Sequence, residues 1–298
     1  MKHLFAVALA ALALAGCRPG SVDFEIDNPT AAPLTLAIDG RDYTVPANGS
    51  TPVSLPPGAH TLRSDALGEV DFIVYAKGRG GLINPTLGEY LTINEIYVTG
   101  EDKLRNFGSI DAEVELDGVV FQGPFTRRQA LFIDKDWTFG VHEPFPDVQT
   151  VAHVDASGGR INRKVFTAQA FIDYVEAGAG QPGAYLRQNP DGYRAPQAVL
   201  EPAPATLPPL HPTYEAHAGA LREVYASYLR ATDPAEQQRL QQASFDALMA
   251  MTSATATLGS GLGAQDNQGY NDFVHRHGEL MGSSALVPPP AAAAAATP

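Results

Sequence analysis

Along the first hundred residues, hydrophobic side chains recur at every second position. Val22, Phe24 and Ile26 alternate with polar residues, as do Leu34, Leu36 and Ile38, and then Tyr43 and Val45. A period of two turns one face of each segment inward, which predicts half-buried strands. Turn chemistry separates them. Asp39-Gly40 suits the two positive-φ positions of a type I′ hairpin, and Asn48-Gly49 and Pro56-Pro57-Gly58 mark the next two reversals. Residues 70–75 and 89–98 complete a set of short strands at the spacing of a small β-sandwich.

The next stretch continues β-rich. Ile110, Ala112, Val114 and Leu116 alternate, Asp117-Gly118 is a second hairpin turn, and residues 119–121 return. Residues 132–141, 148–154 and 161–166 predict further strands. Thr167 then caps a short helix over 168–177, with Phe171, Tyr174 and Val175 at helical spacing. Pro196, Pro202, Pro204, Pro208, Pro209 and Pro212 make 196–212 an extended linker or a strap over the surface.

Beyond Pro212 the period becomes helical. Leu221, Val224, Tyr225 and Tyr228 share one face; Asp233-Pro234-Ala235-Glu236 is an N-cap, first-turn proline and N3 acid, opening a helix through Leu240, Phe245 and Leu248. A third helix begins near Asn267 and carries Tyr270, Phe273, Val274, His277 and Met281. So small an apolar set is marginal alone, so the helices are expected to dock on the β-region. The fold class is α+β: an N-terminal β-sandwich of immunoglobulin or PEGA type, a further β-rich region, then C-terminal helices. The expected division is 1–16 signal peptide, 17–100 sandwich, 101–195 second β-rich region, 196–212 proline-rich linker, 213–284 helices and 285–298 disordered tail.

Composition sharpens this picture. The chain has 298 residues with 28 Gly and 24 Pro, which fits many turns and argues against an all-helical protein. A net charge of −13 makes nucleic acid an unsuitable partner. A single Cys excludes a disulfide framework and any multi-thiolate metal site.

That Cys lies at the end of an export segment. Lys2 precedes an apolar run over residues 4–13, about 15 Å as a helix and half of a bilayer core. The segment is therefore a signal peptide rather than a spanning helix. It closes on Leu14-Ala15-Gly16-Cys17, which resembles the lipobox of bacterial lipoproteins at all four positions. The resemblance implies cleavage before Cys17 and covalent lipid on it, with no other cofactor. Arg18, in place of the Asp that retains such proteins at the inner membrane, implies the outer membrane, facing the periplasm or the cell surface. Residues 37–64 are similar to PEGA-type β-modules through Ile38-Asp39-Gly40, Gly49-Ser50-Thr51-Pro52 and Leu55-Pro56-Pro57-Gly58-Ala59-His60. This likeness implies a surface or cell-wall interaction module without catalysis.

Several constellations invite chemistry. Asp134-Lys135-Asp136-Trp137-Thr138 begins like a calcium loop, but Phe139 and Phe145 stand where that loop needs Gly and Glu. Asp134, Asp136, Glu143 and Asp147 admit a carboxylate pair for glycoside hydrolysis. His275 and His277 lie about 200° apart on a helix and cannot share a metal ion, so burial of His277 on the apolar face is expected. Gly259-Ser260-Gly261-Leu262-Gly263 follows a helix rather than a strand and reads as a loop, not a phosphate cradle. Trp137, Phe139, Phe145, Tyr185 and Tyr193 offer a glycan- or protein-binding surface if exposed; the competing account makes Trp137 and Phe139 the inward face of a strand.

The sequence therefore suggests a non-catalytic binding or assembly module of the cell envelope, held to the membrane by lipid. Its partner would be an envelope protein or cell-wall glycan. The alternatives are an immunity or inhibitor lipoprotein that neutralises a delivered toxin, and a cell-wall glycan hydrolase using paired carboxylates.

Overall fold

The computed structural model describes residues 20–107, 112–150 and 153–290. Leu14, Ala15, Gly16 and Cys17 lie outside the described residues. Fourteen strands are present among the described residues: β1 Val22–Asn28, β2 Leu34–Ile38, β3 Arg41–Val45, β4 Gly49–Leu55, β5 Gly58–Ser64, β6 Gly68–Val74, β7 Gly81–Ile83, β8 Tyr90–Val98, β9 Ala112–Leu116, β10 Val119–Gly123, β11 Phe125–Arg128, β12 Phe132–Asp134, β13 Gly159–Thr167 and β14 Ala285–Leu286. The α-helices are α1 Ala168–Gly178, α2 Ala184–Gln188, α3 Pro212–Glu215, α4 Gly219–Tyr228, α5 Pro234–Thr255 and α6 Ala264–Gly282. The chain is α+β, strand-rich at its N-terminal end and helical towards its C-terminus.

The turns fall where backbone chemistry requires them. Asp39 and Gly40 both take positive φ, 52° and 76°, between β2 and β3, and Asp117 and Gly118 do the same between β9 and β10. One sheet runs β12-β7-β1-β4 and a second runs β14-β6-β5-β2-β3. Their facing residues, among them Phe24, Ile26, Ile38, Val53, Leu62 and Phe72, fill a common core. Each such side chain contributes about 1.5–3 kcal/mol through removal from water.

Non-local pairing changes the sandwich expected over 22–98. Strand β8 leaves it to become the centre of a separate sheet, β11-β8-β13. In exchange β12 adds to β7 and β14 adds to β6. The tail expected to be disordered from 285 thus begins as a buried strand, since Ala285 and Leu286 complete the sandwich edge.

The strand expected over 132–141 ends at Asp134 because the chain changes sheets there. The Thr138 and Phe139 N–H groups both donate to the Arg163 carbonyl of β13, at 2.8 and 3.0 Å. No strand is described in 148–150 or 153–154. Side chains hold the approach to this segment, with Tyr97 Oη donating to the Pro146 carbonyl at 2.5 Å and Asn162 Nδ2 to Gln149 Oε1 at 2.5 Å.

Helix α1 packs on the third sheet. Its N-cap is Thr167, whose hydroxyl accepts from the Ala170 N–H, and Phe171 meets Phe125 edge to face with centroids 4.9 Å apart. The proline-rich segment lies against the protein. Leu207 is buried, the Ala203 N–H donates to the Val287 carbonyl at 2.8 Å, and Tyr225 Oη donates to the Pro204 carbonyl at 2.8 Å. Arg222 ties the same strap to α4 through the Leu207 and Pro208 carbonyls, both at 2.8 Å.

Helices α4, α5 and α6 share a core with the sandwich edge. Tyr75 stacks on Tyr228 with centroids 4.3 Å apart, and its hydroxyl donates to the Tyr228 carbonyl at 3.0 Å. The fully buried Gln237 amide accepts from the Ala76 N–H at 2.8 Å and donates to the Val74 and Ala231 carbonyls at 3.0 and 2.8 Å. Both Nε2 hydrogens and the Oε1 of Gln237 have partners, which is what a buried polar joint needs.

Candidate functional site

A buried polar cluster lies where the sandwich meets the third sheet. Asp27, at the end of β1, has a side chain with no solvent exposure. Its carboxylate accepts from Tyr90 Oη at the start of β8 and pairs with His142 Nε2 at 2.6 Å. Lys164, on β13 and 3% exposed, donates from Nζ to the Gly140, Val141 and Val165 carbonyls. The loop carrying His142 is thus threaded between an anion and a cation from two different sheets.

Burial lowers the Lys164 pKa to about 8, with Glu143 and Asp27 opposing the fall through their charge. Tyr90 is pushed up, first by burial and then by Asp27. The Asp27–His142 pair places a carboxylate behind a partly exposed imidazole, the arrangement that orients a general base. Among the described residues no Ser or Thr hydroxyl bonds to His142, so the pair lacks an adjacent nucleophile there.

Three of the four acids considered for hydrolysis are engaged by the chain's own groups. Asp134 Oδ1 accepts from the Ser284 N–H at 2.6 Å, and Asp136 is held by both Arg128 and Arg163. Glu143 accepts from the Gly140 N–H at 2.6 Å, while Asp147 is exposed. Among the described residues, no group of three His, Cys, Asp or Glu is placed to hold a metal ion.

The five aromatics also enter the packing. Trp137 lies against the small cluster of Leu82, Tyr90, Ile133 and Val165. Phe139 meets Phe145, which packs in turn towards Phe166 and Tyr174. Tyr185 is 1% exposed and donates to Asp117 at 2.5 Å, and half-buried Tyr193 donates to Glu89 at 2.5 Å. Burial and the Glu89 charge push the Tyr193 pKa far upward.

His277 is buried, with Nε2 3.0 Å from Ser244 Oγ, and burial lowers its pKa. His275 lies at the surface, paired with Glu279. Residues 258–261 form a 3-10 turn between α5 and α6. A cleft of about 280 Å³ opens beside the far ends of β8 and β13, lined by Tyr97, Thr99, His153, Asp155 and Arg160, none of them singled out from the sequence.

Asp27, His142 and Lys164 were also missed. Asp27 shares the parity of Asp23 and Glu25, which the alternation assigns to solvent; loop 140–142 covers that face only once β13 is in place. The one available signal was Asp27-Asn28 preceding Pro29, a polar pair closing an apolar strand. Comparison with protein families, characterised proteins and solved structures finds no match for this chain.

Proposed function

We propose that this protein is an acylated outer-membrane lipoprotein that serves as a non-catalytic binding or assembly module of the bacterial envelope. The observation that carries the reading is the position of the only Cys of 298 residues, directly after Leu14-Ala15-Gly16 and an apolar segment too short to span a bilayer. Two or more acyl chains exceed the marginal affinity of one chain and give stable anchoring. The non-catalytic part of the reading is supported by how the polar groups are used. The Asp27, Glu89, Asp117 and Asp136 carboxylates each bind side chains of neighbouring segments. They brace a scaffold, and a rigid scaffold suits the presentation of a surface to an envelope partner.

The test is Cys17→Ser in the full-length precursor. Wild type is expected to incorporate labelled fatty acid and fractionate with membranes, and the variant to lose both properties. Unchanged membrane association with no label in either protein would refute the anchor.

A further inference from the structure

Most of the described arginines are committed to carboxylates. Arg63, Arg127, Arg128, Arg163, Arg194, Arg222, Arg239 and Arg276 all lie in ion pairs. Lys77, Arg79 and Lys135 are exposed and, among the described residues, lie in no ion pair. Arg41, Arg105, Arg160, Arg187 and Arg230 share that property, and what sets the three apart is that they lie together.

The topology brings these three to one end of the sandwich. The Lys135 N–H donates to the Gly80 carbonyl at 2.8 Å, fixing Lys135 beside Arg79. Ser284 closes the group: its carbonyl accepts from the Tyr75 N–H, its hydroxyl donates to the Gly80 carbonyl, and Gly78 packs on its Cα. This is also the end at which the chain enters the fold. Strand β7 runs parallel to β1, and Gly80 lies so close to Asp23 that a Cβ there would stand 1.8 Å from the Asp23 carbonyl oxygen.

Only residues 18–20 separate Cys17 from Ser21, a reach of about 13 Å when extended. Arg18 is the one cation of that spacer. The acids beside the patch already have partners: Asp23 accepts from Ser54 Oγ at 2.5 Å, Asp134 from the Ser284 N–H, and Asp136 is held by Arg128 and Arg163. In a chain of net charge −13, cations left unpaired at the entry end of the fold stand out against the prevailing charge.

We propose that Lys77, Arg79 and Lys135 form a headgroup-facing patch that seats the entry end of the sandwich on anionic phospholipid. The inference rests on the lipoprotein reading for its orientation and deepens it by naming the surface that meets the membrane. The acyl chains hold this end near the bilayer, and the patch sets which face of the body turns towards it. Screening makes the arrangement compatible with an acidic protein. Charges within about 8–10 Å of the headgroups feel their field, and acids beyond that range are screened from it. Each Lys or Arg near an anionic surface strengthens binding about fivefold, so three contribute about 100-fold.

The test uses the mature chain from Arg18 onward without acyl groups, sedimented with vesicles of phosphatidylethanolamine alone or with phosphatidylglycerol at about 30 mol %. Binding is expected only with phosphatidylglycerol and is expected to fall as sodium chloride rises. Lys77→Gln, Arg79→Gln and Lys135→Gln together should lower the partition coefficient by about 100-fold. The same change at the distant exposed Arg105, Arg160 and Arg187 should alter it much less. Absence of phosphatidylglycerol-dependent binding, a triple variant within about twofold of wild type, or an equal loss in the distant triple would overturn the proposal. The chain in this assay carries no lipid, so these outcomes are independent of acylation at Cys17.

Discussion

Replacing Gln237 with Ala should loosen the helices from the sandwich. The side chain is fully buried, and its amide accepts from the Ala76 N–H while donating to the carbonyls of Val74 and Ala231. Truncation strips partners from one donor and two acceptors at once. Each buried polar group left unsatisfied costs about 1–3 kcal/mol, and a carbonyl with a second lone pair engaged loses less than an N–H. Water entering the vacated space recovers part of the loss. The net expectation is about 3 kcal/mol.

For a chain of this size that magnitude lowers the thermal midpoint by about 6–12 °C. Calorimetry would read the midpoint, and hydrogen exchange would show whether α4 and α5 lose protection before the sandwich core. Gln241→Ala is the graded control. That half-buried side chain donates to the Tyr228 hydroxyl at 2.9 Å and more weakly to the Ala76 carbonyl at 3.3 Å, so about 1 kcal/mol is expected. Gln237→Glu keeps the volume but turns a carboxyl oxygen towards two carbonyls, and should cost at least as much as Ala. If Gln237→Ala lies within about 0.5 kcal/mol of wild type with unchanged exchange in α4 and α5, the joint does not hold the helices as argued.

Asp27→Asn keeps the shape of the buried cluster and removes its negative charge, leaving Lys164 without that support. A loss of about 1–3 kcal/mol is expected at pH 7. It should shrink by pH 9.5, above the folded Lys164 pKa of about 8, where Lys164 is mostly neutral in the fold; urea midpoints with an equal deficit at both pH values would contradict this. His277 predicts the acid side. Its folded pKa lies below the unfolded value near 6.5, so the unfolded chain takes up the proton first and stability falls as pH drops through that value. His277→Leu should flatten the decline in urea midpoint between pH 7.5 and 5.5, and parallel slopes for variant and wild type would refute the assignment.

The features legible in the sequence are those decided within a few residues. Asp39-Gly40 and Asp117-Gly118 form turns because two successive positive-φ positions suit few residue types. Thr167 and Asp233 cap helices because each side chain reaches an N–H three residues on. Partnering between distant strands is a different matter. Nothing local to residues 90–98 says that they join β11 and β13 rather than the sandwich, and nothing local to Ala285-Leu286 points to β6. The Asp27 site is hidden for the same reason, since the groups that enclose it come from residues far along the chain.

Helix α5 shows where apolar periodicity misleads. The expected inward face contained Leu240, Phe245 and Leu248, yet Phe245 is 60% exposed and the buried positions include Gln237, Ser244 and Thr255. These polar residues face inward because each has a specific counterpart: Gln237 the sandwich backbone, Ser244 the imidazole of His277, and Thr255 the hydroxyl of Tyr270. Another rotation would leave the Ala76 N–H, the Val74 carbonyl and the His277 imidazole without these partners, at about 1–3 kcal/mol for each that stays buried. Together these outweigh the ~1.5–3 kcal/mol that one exposed phenyl ring forfeits. An alternation or moment argument weighs residues one at a time and cannot see such pairs. The helical part is therefore bound to its β-platform by complementary polar groups as much as by apolar area, and its orientation on that platform is the more sharply specified for it.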